Sequence, residues 1–219
     1  FAIEGVRLNE TGVAAEIAAA IGPGGRVGQG DESRDFRISI AGAQEKTALL
    51  KMGRYWMRPT GATPTTHILK LPLGLVGNQR LDLRDSVENE WLCAQILAAY
   101  GLPVANCVIR EFGGTKALVV ERFDRRWTSD KTALLRLPQE DMCQAMGVSP
   151  LLKYEADGGP GIAQILKVLE SSEARQRDRE NFFRAQVLFW MLCAPDGHAK
   201  NFSIALQKRG AFAMTPLYD

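Results

Sequence analysis

The apolar and polar positions divide the chain into a first half with strand patterns and a second half with mainly helical patterns. In the first half, short apolar or alternating segments are bounded by Gly, Pro and other turn residues, which is typical of strands. These segments are residues 36–40, 46–52, 53–57, 65–71, 104–112 and 115–123. The last two flank G-G and indicate a β-hairpin. Together they predict a small antiparallel sheet of about five strands.

Two helices are predicted in the first half. Residues 11–21 are rich in Ala, with Thr11 as the candidate N-cap, and the sequence I-G-P-G-G ends the pattern. Residues 85–100 begin at a capping residue, Asp85 or Ser86, and end before Gly101, a typical C-cap. The apolar stripe of this second helix is predicted to consist of Val87, Trp91, Ala94 and Ala98, with Glu90 on the adjoining face.

Helical patterns dominate after residue 138. They cover residues 139–146, 161–169 and 179–193, and the last helix is expected to end at Pro195. No strand is expected in this half until residues 202–206 and 211–215, which flank the turn Q-K-R-G. The polar stretch 124–131 is interpreted as a connector between the halves. The pattern therefore predicts an α+β fold with two lobes.

Charge, cysteine spacing and apolar runs give no indication of several common classes of protein. The net charge of +2 is too small to indicate nucleic acid or anionic lipid as a partner. The four cysteines are far apart and form no C-x-x-C pair, so no zinc knuckle or redox dithiol is indicated and a reducing cytoplasm is expected. No apolar run reaches the ~18 residues of a membrane span, and the N-terminus lacks a signal-peptide pattern. A chain that opens on Phe and ends on Y-D is expected to be trimmed or partial.

A polar loop follows the long apolar pattern near the end of the chain. This loop, A-P-D-G-H-A-K-N-F, places Asn201 five positions after Asp196, and a predicted hairpin then leads to Asp219. In protein kinases, a loop Asp accepts the hydroxyl proton of the substrate, and a later Asn and Asp hold Mg²⁺. Carboxylate and amide oxygens suit a hard cation that neutralises phosphate charge. An Asp and an Asn at this spacing also occur by chance, because both residues favour loops.

Two further features follow the same order along the chain. Lys70, on a predicted strand, precedes Glu90 of the next helix by 20 residues, as in the kinase ion pair that orients ATP phosphates. The loop S-I-A-G-A-Q-E-K is built of small residues that can expose backbone N–H groups to phosphate, although it lacks G-x-G-x-x-G. A competing interpretation treats Asp196 and His198 as ligands of a metallohydrolase, with His67 as the other imidazole, which is a poor ligand set.

Longer motifs resemble the HipA family of toxin kinases. These motifs are F-R-I-S-I-A-G-A-Q-E-K-T-A-L-L, P-T-T-H-I-L-K-L-P, V-E-R-F-D-R-R-W, L-R-L-P-Q-E-D-M-C-Q, K-Y-E-A-D-G-G-P-G-I-A, D-G-H-A-K-N-F-S and T-P-L-Y-D. The resemblance implies a two-lobed protein-kinase-like fold, with a small antiparallel β-sheet lobe and a mainly helical lobe. The expected domains are an N-terminal helix and loop over 1–35, a β-rich nucleotide-binding lobe over 36–123 and a helical catalytic lobe over 124–219. Family members are longer, so the last lobe is expected to be truncated at its C-terminus, and they carry other residues in place of A-P before Asp196.

The resemblance also implies roles for individual residues. Asp196 would be the catalytic base, and Asn201 and Asp219 would be the Mg²⁺ ligands. Glu90 would be the ion-pair partner of Lys70. The implied ATP-binding residues are Ile40, Ala41, Gly42, Ala43, Gln44, Glu45, Lys46, Lys70, Glu121, Phe123, His198 and Lys200.

The resemblance implies self-regulation through Ser39, which would be autophosphorylated. A phosphate of about −2 charge at Ser39 should disfavour ATP binding by the loop that follows, by repulsion and by competition for the same N–H donors. Modification would then inactivate the enzyme.

The function implied by the resemblance is that of a serine/threonine protein kinase acting as the toxin of a type II toxin–antitoxin system. ATP and Mg²⁺ would be its cofactors, glutamyl-tRNA synthetase its substrate and growth arrest the outcome. A DNA-binding HipB-like antitoxin would be its partner, with DNA contacted through that antitoxin and no membrane involved. The alternative is a catalytically inactive, kinase-like scaffold that holds an antitoxin.

Overall fold

The computed structural model describes residues 3–21, 44–76 and 80–218. The chain forms two compact units. The first unit comprises Phe1–Leu92 and Asn106–Leu135, and the second comprises Cys93–Ala105 and Arg136–Asp219. The predicted domain limits at residues 35 and 123 stay predictions. The predicted strand 36–40 lies outside the described residues.

The first unit is built on a six-stranded antiparallel sheet. In sheet order its strands are β1 (Gly5–Leu8), β3 (Tyr55–Pro59), β2 (Lys46–Met52), β4 (His67–Lys70), β8 (Thr115–Glu121) and β7 (Cys107–Phe112). Five of these strands confirm sequence predictions. The edge strand β1 was not predicted, because it has four residues and its burial is only partial.

Two helices accompany this sheet. Helix α1 (Glu10–Ile21) confirms the first prediction, but its N-terminal cap is Asn9, whose side chain accepts the N–H of Gly12 at 2.8 Å. The candidate cap Thr11 is therefore wrong, because the helix has already begun there. The α1 side chains Val13 and Ile17 are fully buried in the apolar core of the first unit.

Helix α2 (Ser86–Ala99) confirms the second helix, and Gly101 has the expected left-handed backbone, with φ of 77°. The predicted apolar stripe is partly wrong. Val87 is buried, but Trp91 is 37% exposed and Ala98 is also exposed. The covered face instead runs through Val87, Glu90 and Leu97, so the helix is rotated relative to the predicted stripe.

Two small two-stranded sheets complete the description of the strands before residue 137. Strands β5 (Gly74–Val76) and β6 (Leu81–Leu83) pair with each other, and β9 (Arg125–Trp127) pairs with β10 (Leu134–Arg136). The interpretation of residues 124–131 as a plain connector is therefore wrong in part. The stretch contains a strand, because the turn that follows it returns the chain to β10.

The described residues of the second unit include a three-stranded antiparallel sheet and three α-helices besides the end of α2. The strands are β11 (Gln139–Asp141), β12 (Ser203–Leu206) and β13 (Phe212–Met214), and the helices are α3 (Met142–Ala145), α4 (Ile162–Val168) and α5 (Arg175–Met191). The predicted helices over 161–169 and 179–193 and the last two strands are confirmed. None of the described helices has both the length and the apolar character needed to cross a membrane.

The prediction of a helix over residues 139–146 is wrong in its first turn. Residues 139–141 form β11, which pairs with β12. Asp141 then caps α3: its side chain accepts the N–H of Gln144, and the Gln144 side chain accepts the N–H of Asp141, both at 2.9 Å. This reciprocal cap makes the helix begin at Met142.

The core of the second unit forms around α5. Phe182 of this helix is fully buried and meets Phe202 edge to face, with ring centroids 4.8 Å apart. Asp178, one turn earlier, is only 2% exposed. It accepts the hydroxyl of Ser172 at 2.5 Å and the N–H of Met214 at 2.7 Å, so a buried carboxylate fastens α5 to β13.

Candidate active site

In the first unit, the structure brings Lys70 and Glu90 together. Lys70 is the last residue of β4, and its ammonium group donates to Glu90 Oε1 of α2 at 2.6 Å. The Lys70 side chain is 6% exposed and that of Glu90 is 23% exposed. A buried ammonium group requires an anionic or hydrogen-bonding partner, and Glu90 supplies one inside the first unit.

A second lysine lies beside this pair. Lys46 of β2 is directly opposite Lys70 in the antiparallel register, so the two side chains are on the same face of the sheet. The residues before Lys46 are held at the end of β4. Gln44 Nε2 donates to the carbonyl of Leu71 at 2.7 Å, and the N–H of Leu71 donates to the carbonyl of Glu45 at 3.1 Å.

Five of the predicted site residues, Ser39, Ile40, Ala41, Gly42 and Ala43, lie outside the described residues. Their roles stay predictions. The described end of this loop, from Gln44 to Lys46, lies next to the end of β4 that carries Lys70.

The segment after β8 carries the predicted adenine contacts Glu121 and Phe123. Its backbone is fixed at two points: the N–H of Glu121 donates to the carbonyl of Asn106 at 2.8 Å, and the N–H of Arg122 donates to the carbonyl of Thr66 at 2.9 Å. Both partners belong to the first unit. The segment is therefore tied to the sheet that carries Lys70.

A buried carboxylate, Asp124, strengthens this attachment. Arg122 donates to it twice, at 3.0 and 2.8 Å, and Arg125 donates once, at 2.6 Å. Arg125 also donates to the carbonyl of Thr65 at 3.0 Å. Burial acts to raise the pKa of Asp124, but the two guanidinium groups outweigh it, and the pKa lies below its ordinary value. Sequence reasoning missed this cluster, although the motif V-E-R-F-D-R-R-W shows two carboxylates among three arginines.

In the second unit, α5 ends before the polar loop that contains Asp196. The expectation that Pro195 ends this helix is wrong, because the helix stops at Met191. Cys193 adopts a left-handed conformation with φ of 53°, and the N–H of Ala194 closes the helix end on the carbonyl of Phe189 at 2.9 Å. Gly197 is required by close approach, since a Cβ there would lie 2.7 Å from the Phe189 ring.

The loop is held together by its own members. Asn201 is buried, and its side-chain nitrogen donates to the backbone carbonyl of Asp196 at 2.7 Å. The N–H of His198 donates to the same carbonyl at 2.9 Å, and the N–H of Asn201 donates to the carbonyl of His198 at 3.0 Å. The Asp196 side chain itself is 69% exposed. The structure thus links Asp196, His198 and Asn201 in one short turn.

Two neighbours contact the Asp196 carboxylate. The hydroxyl of Tyr154 donates to Asp196 Oδ1 at 2.5 Å, and His198 Nε2 lies 3.5 Å from the same oxygen. The hydrogen bond to the carboxylate raises the pKa of Tyr154, so its hydroxyl keeps its proton at neutral pH. Sequence reasoning assigned no role to Tyr154, although it lies in the motif K-Y-E-A-D-G-G-P.

The remaining predicted residues of this unit are Lys200 and Asp219. Lys200 donates to Asp141 Oδ2 at 3.1 Å. The hydroxyl of Tyr218 is 2.6 Å from Ser203 Oγ and donates to the carbonyl of Lys200 at 3.0 Å. Asp219, the residue after Tyr218, lies outside the described residues, so its role as a Mg²⁺ ligand stays a prediction.

Each unit by itself carries polar groups that suit a Mg²⁺–nucleotide better than a transition metal. In the first unit the ammonium group of Lys70 can bind phosphate, and in the second unit the Asn201 amide and the exposed Asp196 carboxylate offer hard oxygen ligands. Within the described residues, no three His, Cys, Asp or Glu side chains are grouped so that they could hold a metal ion. The metallohydrolase interpretation therefore has no complete ligand set in that part of the chain.

A known protein family matches most of the chain. The model of the HipA-like C-terminal domain family matches residues 38–219. The chain belongs to this family. A HipA-like C-terminal domain spans most of the chain, which confirms the resemblance inferred from the motifs.

Relatives and a solved structure agree with this assignment. The chain is 37% identical over 185 residues to Y4mE of Sinorhizobium fredii, a protein that bears a kinase name, covering 84% of the chain and 42% of Y4mE. It is 32% identical over 195 residues to the serine/threonine-protein kinase toxin HipA of Shewanella oneidensis. This match covers 84% of the chain and 42% of that protein. The chain spans less than half the length of these curated relatives.

The structural comparison confirms the predicted fold class. A chain in the solved complex of Shewanella oneidensis HipA, HipB and operator DNA matches with a TM-score of 0.75 and 26% identity, over 99% of this chain and 50% of that one. The HipA-like chain therefore has an α+β, kinase-like fold.

Proposed function

We propose that this chain is the nucleotide-binding and catalytic part of an ATP- and Mg²⁺-dependent serine/threonine protein kinase. The observation that carries the proposal is the ion pair of Lys70 and Glu90, 2.6 Å apart, with the lysine side chain 6% exposed. Protein kinases use a strand lysine and a helix glutamate in this way to hold ATP phosphates. The family and the kinase names of the relatives support the same activity.

Residues of the first unit would bind the nucleotide. Lys46 and Lys70 place two ammonium groups on one face of the sheet, and these would contact the phosphates together with Gln44 and Glu45. Glu121 and Phe123 would contact the adenine, on a segment that Asp124 attaches to the sheet. When bound, Mg²⁺–ATP supplies the phosphoryl group and the cation charge that the reaction requires.

Residues of the second unit would accept the proton of the substrate hydroxyl and bind Mg²⁺. Asp196 would accept the proton of the substrate hydroxyl, and its 69% exposure leaves room for a protein substrate to reach it. The side-chain NH₂ of Asn201 donates to the carbonyl of Asp196, and its side-chain oxygen would bind Mg²⁺, with Asp219 as the second ligand. His198 and Lys200 would lie beside the nucleotide.

The biological role proposed for the full-length protein follows its relatives. HipA of Shewanella oneidensis is named a kinase toxin and was solved with HipB and operator DNA. By analogy, this protein would be the toxin of a type II toxin–antitoxin system in the cytoplasm. It would bind a HipB-like antitoxin, contact DNA through it, and phosphorylate glutamyl-tRNA synthetase. Ser39 would be its own autophosphorylation site.

A test separates nucleotide binding from phosphoryl transfer. With labelled ATP and Mg²⁺, Asp196→Asn should bind the nucleotide with unchanged affinity and lose transfer, because the base is absent. Lys70→Met should lose nucleotide affinity. The matched control is Lys116→Met, since Lys116 pairs with Glu88 between the same sheet and α2 but is 42% exposed. Equal transfer by the wild type and Asp196→Asn would overturn the catalytic assignment.

The same measurements address the scaffold alternative. A scaffold need not bind ATP in a Mg²⁺-dependent manner, whereas the enzyme must. Wild-type protein without such affinity would therefore favour the scaffold. For Ser39, mapping of the phosphopeptides should place label in the peptide that contains this serine, and label found only elsewhere would remove the self-inactivation proposal.

A further inference from the structure

The carboxylate of Asp196 is exposed, yet one of its oxygens has a fixed partner. With 69% of the side chain accessible, packing alone does not set its rotamer. The Tyr154 hydroxyl supplies a short, charge-assisted hydrogen bond to Oδ1 at 2.5 Å. His198 Nε2 approaches the same oxygen, at 3.5 Å. Among the described residues, both side-chain contacts thus fall on Oδ1, and Oδ2 is the oxygen that can accept a substrate proton.

Tyr154 is itself well placed to act as a fixed donor. The N–H of Ala199, in the Asp196 loop, donates to the carbonyl of Lys153 at 3.1 Å, so the segment before Tyr154 is tied to that loop. The Tyr154 ring meets the His198 ring edge to face, with centroids 4.9 Å apart. On its other side, the carbonyl of Tyr154 accepts the N–H of Gly159 at 2.9 Å.

The glycine motif after Tyr154 explains why the segment can take this shape. A Cβ at Gly159 would lie 1.9 Å from the carbonyl oxygen of Leu152. A larger residue at this position would therefore push the Tyr154 segment away from its present path. The motif K-Y-E-A-D-G-G-P thus combines a tight turn with a tyrosine aimed at the Asp196 carboxylate.

We propose that Tyr154 is a positioning residue, which holds Asp196 through Oδ1 so that Oδ2 faces the hydroxyl group of the protein substrate. This inference rests on the proposed function, in which Asp196 is the base. Tyr154 keeps its own proton and takes no part in proton transfer. Its hydroxyl restricts the carboxylate to one productive orientation, which is a contribution to the rate of transfer and not to nucleotide affinity.

The test is steady-state kinetics of Tyr154→Phe, which keeps the ring and removes only the hydroxyl. We expect kcat to fall about tenfold, while KM for ATP and the thermal unfolding midpoint stay unchanged. The matched control is Tyr100→Phe, which removes the hydroxyl of an exposed tyrosine in the same unit. Tyr100→Phe should match the wild type in all three quantities.

Each other outcome overturns the proposal. Unchanged kcat would show that the hydroxyl does not position the carboxylate, and increased kcat would show that it blocks the site. A parallel loss of kcat, ATP affinity and unfolding midpoint would indicate a purely structural role. Wild-type protein that transfers no phosphate would instead overturn the proposed function, and the role of Tyr154 with it.

Discussion

The attachment of the predicted adenine-binding segment depends on one buried carboxylate, which makes Asp124→Asn an informative substitution. The carboxylate of Asp124 accepts three hydrogen bonds from Arg122 and Arg125, and the three side chains are between 10% and 19% exposed. The substitution keeps the shape of the side chain but removes its charge. Two largely buried guanidinium groups would then lose their common anionic partner.

The expected cost is large. Removing one partner of a buried ion pair typically costs about 3–5 kcal/mol, because the remaining charge stays desolvated. The asparagine still offers one acceptor oxygen, so we expect the lower end, a loss of about 3 kcal/mol in the free energy of unfolding. Urea denaturation, with the midpoint and slope fitted separately, measures this loss.

The chain provides a matched control in Asp82→Asn. Arg84 donates to both oxygens of Asp82, as Arg122 does to Asp124, but the two side chains of the control pair are 49% and 73% exposed. Solvent screens that pair, so this substitution should barely change the unfolding midpoint. Equal effects of the two substitutions would refute the reasoning that burial makes the Asp124 cluster important.

The pH dependence gives a second check on the same residue. The pKa of Asp124 in the folded protein lies below its ordinary value of 3.8. The unfolded state therefore binds the proton more readily at low pH, and the stabilisation by this carboxylate is present above pH 3.8 and lost as the pH falls through the folded pKa. The difference between wild type and Asp124→Asn should accordingly be full at neutral pH and shrink below pH 3.8.

Three further predictions concern stability. Asp178→Ala should lower the free energy of unfolding by about 3 kcal/mol in urea, because the buried hydroxyl of Ser172 and the N–H of Met214 both lose their acceptor. An effect below about 1 kcal/mol would contradict this. Burial lowers the pKa of His67 from 6.5 to about 4, so the free energy of unfolding of the wild type should fall as the pH drops from 6.5 towards 4. An equal fall with pH in His67→Gln would contradict this. Cys193→Gly should stabilise the protein by about 1 kcal/mol, since φ is 53°, and a lower thermal midpoint would refute it.

Elements with a strong local pattern could be predicted from the sequence. The strands around Gly113-Gly114 and the helix over 85–100 carry their own turn and capping residues, and the structure confirms both. Strand β11 could not be predicted, because residues 139–141 are extended only through pairing with β12, far along the chain. Local propensity favoured a helix there, and tertiary pairing prevailed.

In the candidate site, too, some residues could be predicted from local sequence patterns and others could not. Lys70 and Glu90 were expected to pair because strand and helix patterns fixed their order, and the structure brings them together. Tyr154 could not be found in this way, since nothing in local spacing relates it to Asp196, 42 positions later. Asp124 was missed because a charged residue is normally assigned to the surface, and only the fold shows that it is buried.

The way in which Asn201 is held affects how its substitution must be interpreted. Its amide group fastens the backbone of Asp196, so replacing it changes two things at once: a candidate cation ligand and the anchorage of the candidate base. Inactivity of Asn201→Ala would therefore not by itself identify a magnesium ligand. Asn201→Asp keeps an oxygen for the cation but abolishes the donor to the Asp196 carbonyl, and a comparison of the two variants at increasing Mg²⁺ concentrations separates the contributions.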